Sequence, residues 1–321
     1  MDNILKEVSK FGVVPVIKIE KIENALPLAS ALYNAGLRVA ELTFRTDCAE
    51  EAIRVISEKY PDMLVGAGTV LNIETVDKAV KAGSKFIVSP GFNIDVVKYC
   101  IDKNIPIIPG CPTTSDIEKA IELGLTTVKF FPAEQLGGLN MIKALAAPYT
   151  KIKFMPTGGV NQNNINDYLS FPKIVACGGS WMVKDDLINN GDFDKIGELV
   201  EEAINTVLGF ELAHVGINAE NEAESKSSAN LFETLFGKKS REANSSFFAG
   251  TEVEIMKTPY LGKNGHIAFR TNSIERALHY LSFKGVNMKP DTEKYDDKGN
   301  LTAVYLDLEI SGFAIHLTQK K

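Results

Sequence analysis

The chain has 321 residues, 45% hydrophobic and 24% charged, with a formal net charge of −6. That length and apolar content suit one large α/β domain plus an extension, or two domains, and exclude a disordered or fibrous chain. An acidic balance without a basic stripe makes nucleic acid an unexpected partner.

No apolar run reaches the length of a membrane span, and the N-terminus "MDNILKEVSK" has no signal-peptide profile. The four cysteines, Cys48, Cys100, Cys111 and Cys177, show no metal or redox spacing. A reduced, cytoplasmic protein with no membrane partner is therefore expected. All four histidines (His214, His266, His279 and His316) fall after residue 210, so acid–base chemistry before that point rests on carboxylates, lysine, tyrosine or water.

In chain order, short apolar runs alternate with amphipathic stretches. The runs are "VVPVIKI", "VAELTF", "LVGAGTV", "FIVSPG", "IPIIPG", "TTVKFFP", "KFMPTGG" and "IVACGGS". Between them, "CAEEAIRVISEKY", "IETVDKAVKAG", "NIDVVKYCIDKN" and "TSDIEKAIELG" carry apolar residues at three- and four-residue spacing, and most end in Gly or Asn. Eight strand–helix repeats predict a (β/α)8 TIM barrel over residues 1–209. A doubly wound open sheet is the alternative, weakened because no Gly-rich dinucleotide fingerprint follows the first strand.

Glu41, Arg45, Thr69, Pro90, Lys129, Gly158 and Ser180 lie in or just after strand candidates. Barrel strands converge at their C-terminal ends, so these residues are expected to meet in one mouth. Lys129 sits in an apolar strand between Val128 and Phe130. A buried ammonium without a partner is costly, so such a lysine either snorkels outward or becomes a neutral nucleophile. Alternation puts Lys129 on the face opposite those two neighbours, which favours the inward placement. Glu41 and Thr43 share one strand face. An inward Glu41 serves either as an acid–base group or as half of an internal ion pair without chemistry. Arg45 offers a planar fork for a carboxylate, or merely caps the next helix. The "PTGGV" and "CGGSW" turns end the seventh and eighth strands, where barrels commonly bind phosphate on backbone N–H groups.

The ordered motifs "VAELTFRT", "VGAGTVLN", "FIVSPG", "IPIIPG", "KFFPAE", "FMPTGGV" and "GGSW" resemble bacterial 2-keto-3-deoxy-6-phosphogluconate (KDPG) aldolase, which often also acts as a 2-keto-4-hydroxyglutarate (KHG) aldolase. The resemblance runs from about Ile4 to Leu208 and implies a class I, Schiff-base aldolase without a cofactor. By that resemblance Lys129 forms the imine and Glu41 is the general acid/base. Arg45 and Thr69 hold the carboxylate of the pyruvate moiety, Pro90 and Phe131 are pocket walls, and Gly158, Gly159, Gly179 and Ser180 form the phosphate end. It also implies a homotrimer. "GCPTTSD", after the fifth strand, departs from the family's usual Thr-Pro order.

Residues 210–321 change pattern. "ELAHVGINA", "TEVEIMK", "GHIAFRT" and "GFAIHLTQ" read as strands; "ENEAESKSSANLFETLFG" and "SIERALHYLSFKG" read as helices, the latter placing His279 at the surface. This looks like a smaller α+β domain of two βαβββ units and resembles the glyoxalase/vicinal-oxygen-chelate superfamily. That resemblance implies that His214, Glu254, His266 and His316 bind a divalent metal; packing or a metal-free regulatory role is the alternative. Two other readings of the whole chain stand beside the aldolase. One is a phosphosugar isomerase or epimerase on the same barrel. The other is a scaffold whose second domain senses a metabolite.

Overall fold

The apolar runs of the first half fold as short parallel strands, each followed by a helix. In the computed structural model, which describes residues 2–320, they are β1 (Val13–Ile17), β2 (Val39–Thr43), β3 (Leu64–Gly68), β4 (Phe86–Val88), β5 (Ile107–Ile108), β6 (Thr127–Phe130), β7 (Lys153–Pro156) and β8 (Cys177–Gly179). Six of them form a parallel sheet in the order β5-β4-β3-β2-β1-β8, and β6 pairs with β7. Single parallel bridges, Gly110 with Lys129 and Thr157 with Gly178, join that pair to the sheet on either side. The result is a TIM-barrel-like α/β fold. Its strands are apolar on both faces because helices cover one face and the packed interior the other; all five residues of β2 are buried.

Local chemistry sets the helix boundaries. Asn72, Asn93 and Thr113 accept hydrogen bonds from backbone N–H groups of the helices they open. The helix Asp2–Phe11 precedes β1, and the helix Phe193–Leu208 ends this first unit.

The chain divides into two units, Met1–Val207 and Leu208–Lys321. The second holds β9 (Glu211–Asn218), the helix Glu222–Phe236, β10 (Ser240–Glu242), β11 (Ser246–Ala249), β12 (Val253–Met256), β13 (Gly265–Thr271), the helix Ile274–Ser282, β14 (Lys294–Tyr295), β15 (Leu301–Ile310) and β16 (Phe313–Gln319). The β-α-β-β-β order occurs twice. The eight strands make one sheet, β10-β11-β12-β9-β13-β16-β15-β14. Its two halves meet where β9 and β13 run antiparallel. A cluster of Ala219, Ala229, Phe247 and Ile255 packs beneath the first helix of this unit. His279 is not a free surface residue: it is half-buried with its ring 4.7 Å from that of Phe283. No helix among the described residues is long and apolar enough to cross a membrane.

Candidate active site and metal centre

Lys129 points inward from β6 and is 5% exposed; Glu41, on β2, is 1% exposed. The Lys129 Nζ lies 3.4 Å from Glu41 Oε1. Glu41 Oε2 is buried with no protein partner. The pair is thus a buried amine–carboxyl contact with one carboxyl oxygen left over. Removing either partner would strand a buried polar group. Gly68 makes the room: a Cβ there would lie 2.2 Å from Glu41 Oε1. The Phe131 ring centroid is 5.4 Å from the Lys129 amine. The Pro90 carbonyl lies against Gly110, where a Cβ would come within 2.0 Å of it, and Gly110 is bridged to Lys129.

Arg45 and Thr69 come together at the ends of β2 and β3. They line a cleft of about 450 Å³ with Phe44, Asn72 and Lys78; Lys129 and Glu41 are not among its walls. Arg45 Nε donates to Thr43 Oγ1, and Thr43 in turn donates to the Ile17 carbonyl. A residue not singled out from the sequence, Thr43, therefore aims the guanidinium. Thr69 has φ +57. A β-branched side chain is rarely found there, and such strain concentrates at functional positions.

Gly158 and Gly159 both have positive φ. A Cβ on Gly159 would lie 2.4 Å from Cγ of Glu134. Glu134 accepts a hydrogen bond from the hydroxyl of buried Tyr168, and its own backbone N–H donates to the Gly158 carbonyl. Glu134 and Tyr168 thus clamp the β7 turn, a contact no local motif announces. Gly179 lies directly beneath the ring of Trp181, and Ser180 beside it is exposed. Cys111, in the "GCPTTSD" segment, is fully buried, and burial pushes its thiol far above the ordinary range.

In the second unit, four side chains from four strands converge. His214 Nε2 lies 3.1 Å from His266 Nε2, 3.4 Å from His316 Nε2 and 3.0 Å from Glu254 Oε2. His266 Nε2 is 3.2 Å from the same Glu254 oxygen. Among the described residues, His214, His266 and His316 form a cluster with ligand atoms within 4.8 Å of one another. Ser246 Oγ donates to the other carboxylate oxygen of Glu254 at 2.6 Å, so a single oxygen faces the histidines. Gly216 makes space for the His266 ring, since a Cβ there would lie 2.0 Å from its Cε1. Tyr305 stacks on His316 with ring centroids 4.6 Å apart.

The electrostatics follow from this crowding. Burial alone would raise the Glu254 carboxyl, but hydrogen bonds with His214, His266 and Ser246 outweigh it and hold it well below the ordinary range. Burial, then the neighbouring His266 and His214, pushes the His316 imidazole down to about 3. His316 is neutral at pH 7, the form in which a ring nitrogen offers a lone pair.

The first unit thus combines a barrel, a buried lysine–glutamate pair, an arginine at one strand end and glycine turns at another. The family described as KDPG and KHG aldolase matches residues 1–199. A 2-dehydro-3-deoxy-phosphogluconate aldolase of Treponema pallidum is 47% identical over 207 residues, covering 64% of this chain and 99% of that protein. The KDPG aldolase of Legionella pneumophila, solved with pyruvate captured at low pH as a covalent carbinolamine intermediate, is 38% identical. That match covers 62% of this chain and 97% of that one, with a TM-score of 0.60. The 2-keto-3-deoxy-6-phosphogluconate aldolase of Zymomonas mobilis ZM4, solved with 3-phosphoglycerate, is 40% identical over 62% of this chain and 94% of that one, with a TM-score of 0.58. The chain belongs to the KDPG and KHG aldolase family and is an aldehyde-lyase.

Proposed function

We propose that this chain is a Schiff-base aldolase that cleaves 2-keto-3-deoxy-6-phosphogluconate to pyruvate and glyceraldehyde 3-phosphate, and 2-keto-4-hydroxyglutarate to pyruvate and glyoxylate. The observation that carries the reading is the buried contact of Lys129 with Glu41. The neutral Lys129 amine attacks the C2 ketone and forms a carbinolamine. Loss of water leaves an iminium ion. Glu41 takes the proton of the C4 hydroxyl as the C3–C4 bond breaks, and that electron pair flows into the iminium to give an enamine. The aldehyde departs. Protonation at C3 and hydrolysis then release pyruvate and restore the free amine. The iminium is the electrophile, so no step as written calls for a metal or other cofactor. Arg45 and Thr69 hold the carboxylate, Pro90 and Phe131 wall the carbon chain, and Gly158, Gly159, Gly179 and Ser180 receive the phosphate on backbone N–H groups. Borohydride reduction in the presence of pyruvate, followed by peptide mapping, tests this; a label on another lysine, or none, overturns it.

A metal site is the second reading, supported by the convergence of four donors. Three imidazole nitrogens and a carboxylate oxygen, each within 3.4 Å of a neighbour, form a donor set that one cation placed among them would satisfy together. The Nε2 atoms of His214, His266 and His316 face the centre, while His266 Nδ1 and His316 Nδ1 are buried without hydrogen-bond partners. The residues fit: His214, Glu254, His266 and His316 would hold one divalent ion such as zinc, nickel, manganese or iron. Such an ion supplies a Lewis-acidic position for an oxygen ligand. On this reading the second unit is a glyoxalase-like module.

The barrels associate as a homotrimer, a reading supported by exposed Leu71, Ile73 and Ile94, whose loops are tied by Asn93 donating to the Leu71 carbonyl. Four free cysteines support a cytoplasmic location. Light scattering of the purified chain tests the trimer.

A further inference from the structure

The row of residues leading to the metal centre does not end at its ligands. Strand pairing sets Arg241 of β10 opposite Phe248, and Phe248 opposite Glu254. Residues paired across neighbouring strands share a face, so these three run in line from the sheet edge to the centre. Arg241 Cζ is 4.7 Å from the Phe248 ring centroid. The Phe248 ring meets His214 edge-on, with centroids 5.7 Å apart. No carboxylate among the described residues pairs with Arg241, whereas Arg54, Lys238 and Lys257 each pair with an acid.

The opposite edge repeats the theme. Strand β14 opens with Lys294, which pairs with Ala303; Ala303 in turn pairs with Thr318, two residues along β16 from His316 and so on its face. Lys294 too has no ion pair among the described residues. Strands β10 and β14 hold equivalent places in the two β-α-β-β-β repeats and are the two edges of the sheet. Each repeat therefore places one cation without an ion pair among the described residues on an edge strand, on the face that carries the centre, in a chain whose net charge is −6. An arginine laid on an aromatic face is partly immobilised and loses little freedom when it grips an oxyanion as a fork. Phe248 and Tyr305 supply apolar walls on either side of the donors.

We infer that the metal centre serves a small organic anion: an oxygen donor of the ligand meets the metal, and its carboxylate or phosphate is gripped by Arg241 across the Phe248 ring, with Lys294 reinforcing the attraction. The inference rests on the metal reading above and adds the ligand class.

The test uses the full-length chain loaded with zinc and isothermal titration with two chelators that share a hydroxamate head. Succinyl monohydroxamate carries a carboxylate tail; acetohydroxamate carries none. The expected result is binding of the first at least about tenfold tighter than the second, a difference of about 1.4 kcal/mol. Arg241→Gln removes most of that margin while acetohydroxamate affinity and zinc stoichiometry stay at the wild-type level, which also shows that the variant is folded. A hydroxamate with a phosphonate tail ranks the two anions against each other. Equal affinities for the charged and uncharged chelators overturn the inference alone. So does a margin that survives both Arg241→Gln and Lys294→Gln. Failure of the wild-type chain to take up zinc overturns the metal reading, and this inference with it.

Discussion

Lys129 and Glu41, 88 residues apart in sequence, touch at 3.4 Å in the barrel interior. Neither has room to move away. The amine is walled by Phe131, and the carboxylate is seated against the bare backbone of Gly68. Substituting Glu41→Gln keeps the shape and removes the base. The expected outcome is an enzyme that still forms a reducible adduct with pyruvate but turns over at least ~10²-fold more slowly. Single-turnover kinetics beside borohydride trapping measures both, and near-normal turnover would remove Glu41 from the mechanism.

Gly68→Ala tests the seat itself. Its Cβ would fall 2.2 Å from Glu41 Oε1, so the carboxylate must shift. A loss of about 1–3 kcal/mol of stability is expected, as for overpacked cores. A fall in kcat larger than any change in KM should accompany it. Thermal unfolding and steady-state kinetics on the same preparation separate the two effects, and unchanged kcat would show that the carboxylate has freedom to spare.

The glycine turn after β7 makes a substrate-dependent prediction. Gly158→Val forces a branched side chain into a backbone conformation with φ +98. If the turn receives phosphate, KM for the phosphorylated substrate rises far more than KM for 2-keto-4-hydroxyglutarate, because only the former uses the N–H nest. Equal losses would assign the glycines to the fold alone.

Metal uptake in the second unit should be lost without deleting any donor. Gly216→Val places carbon where the His266 ring lies, 2.0 Å from Cε1 for the Cβ alone. Elemental analysis should find metal in the wild-type chain and little in this variant or in His266→Ala. Aldolase turnover should be unaffected in both, and metal at full occupancy in Gly216→Val would place the ion elsewhere.

Truncation after Leu208 should leave a folded aldolase. The Treponema pallidum relative is matched over 99% of its own length by 64% of this chain, the family match spans residues 1–199, and Lys129, Glu41, Arg45 and Thr69 all precede the cut. Turnover within about twofold of the full chain is the expected result. A folded but inactive barrel would mean that the extension completes the site.

Much of this was legible in the linear chain, for physical reasons. The strand–helix rhythm of the first unit survives as strands and helices because buried parallel strands demand continuous apolar runs, and covering helices demand a three- to four-residue period. Lys129 and Glu41 stood out because a charge inside such a run is too costly to be incidental. The four donors of the second unit could be named by resemblance, since each sits on a strand. Strands β10, β11, β14 and β15 were not legible, being short, polar on one side or without clean alternation.

What only the tertiary structure decided is who supports whom. The Ile17 carbonyl holding Thr43, Glu134 and Tyr168 clamping the Gly159 turn, Ser246 holding Glu254 and Gly216 yielding space to His266 are contacts between segments brought together by the fold. Local pattern records which face a residue occupies. It carries no information about the partner that a neighbouring strand or loop will present, because that depends on register and closure of the whole sheet.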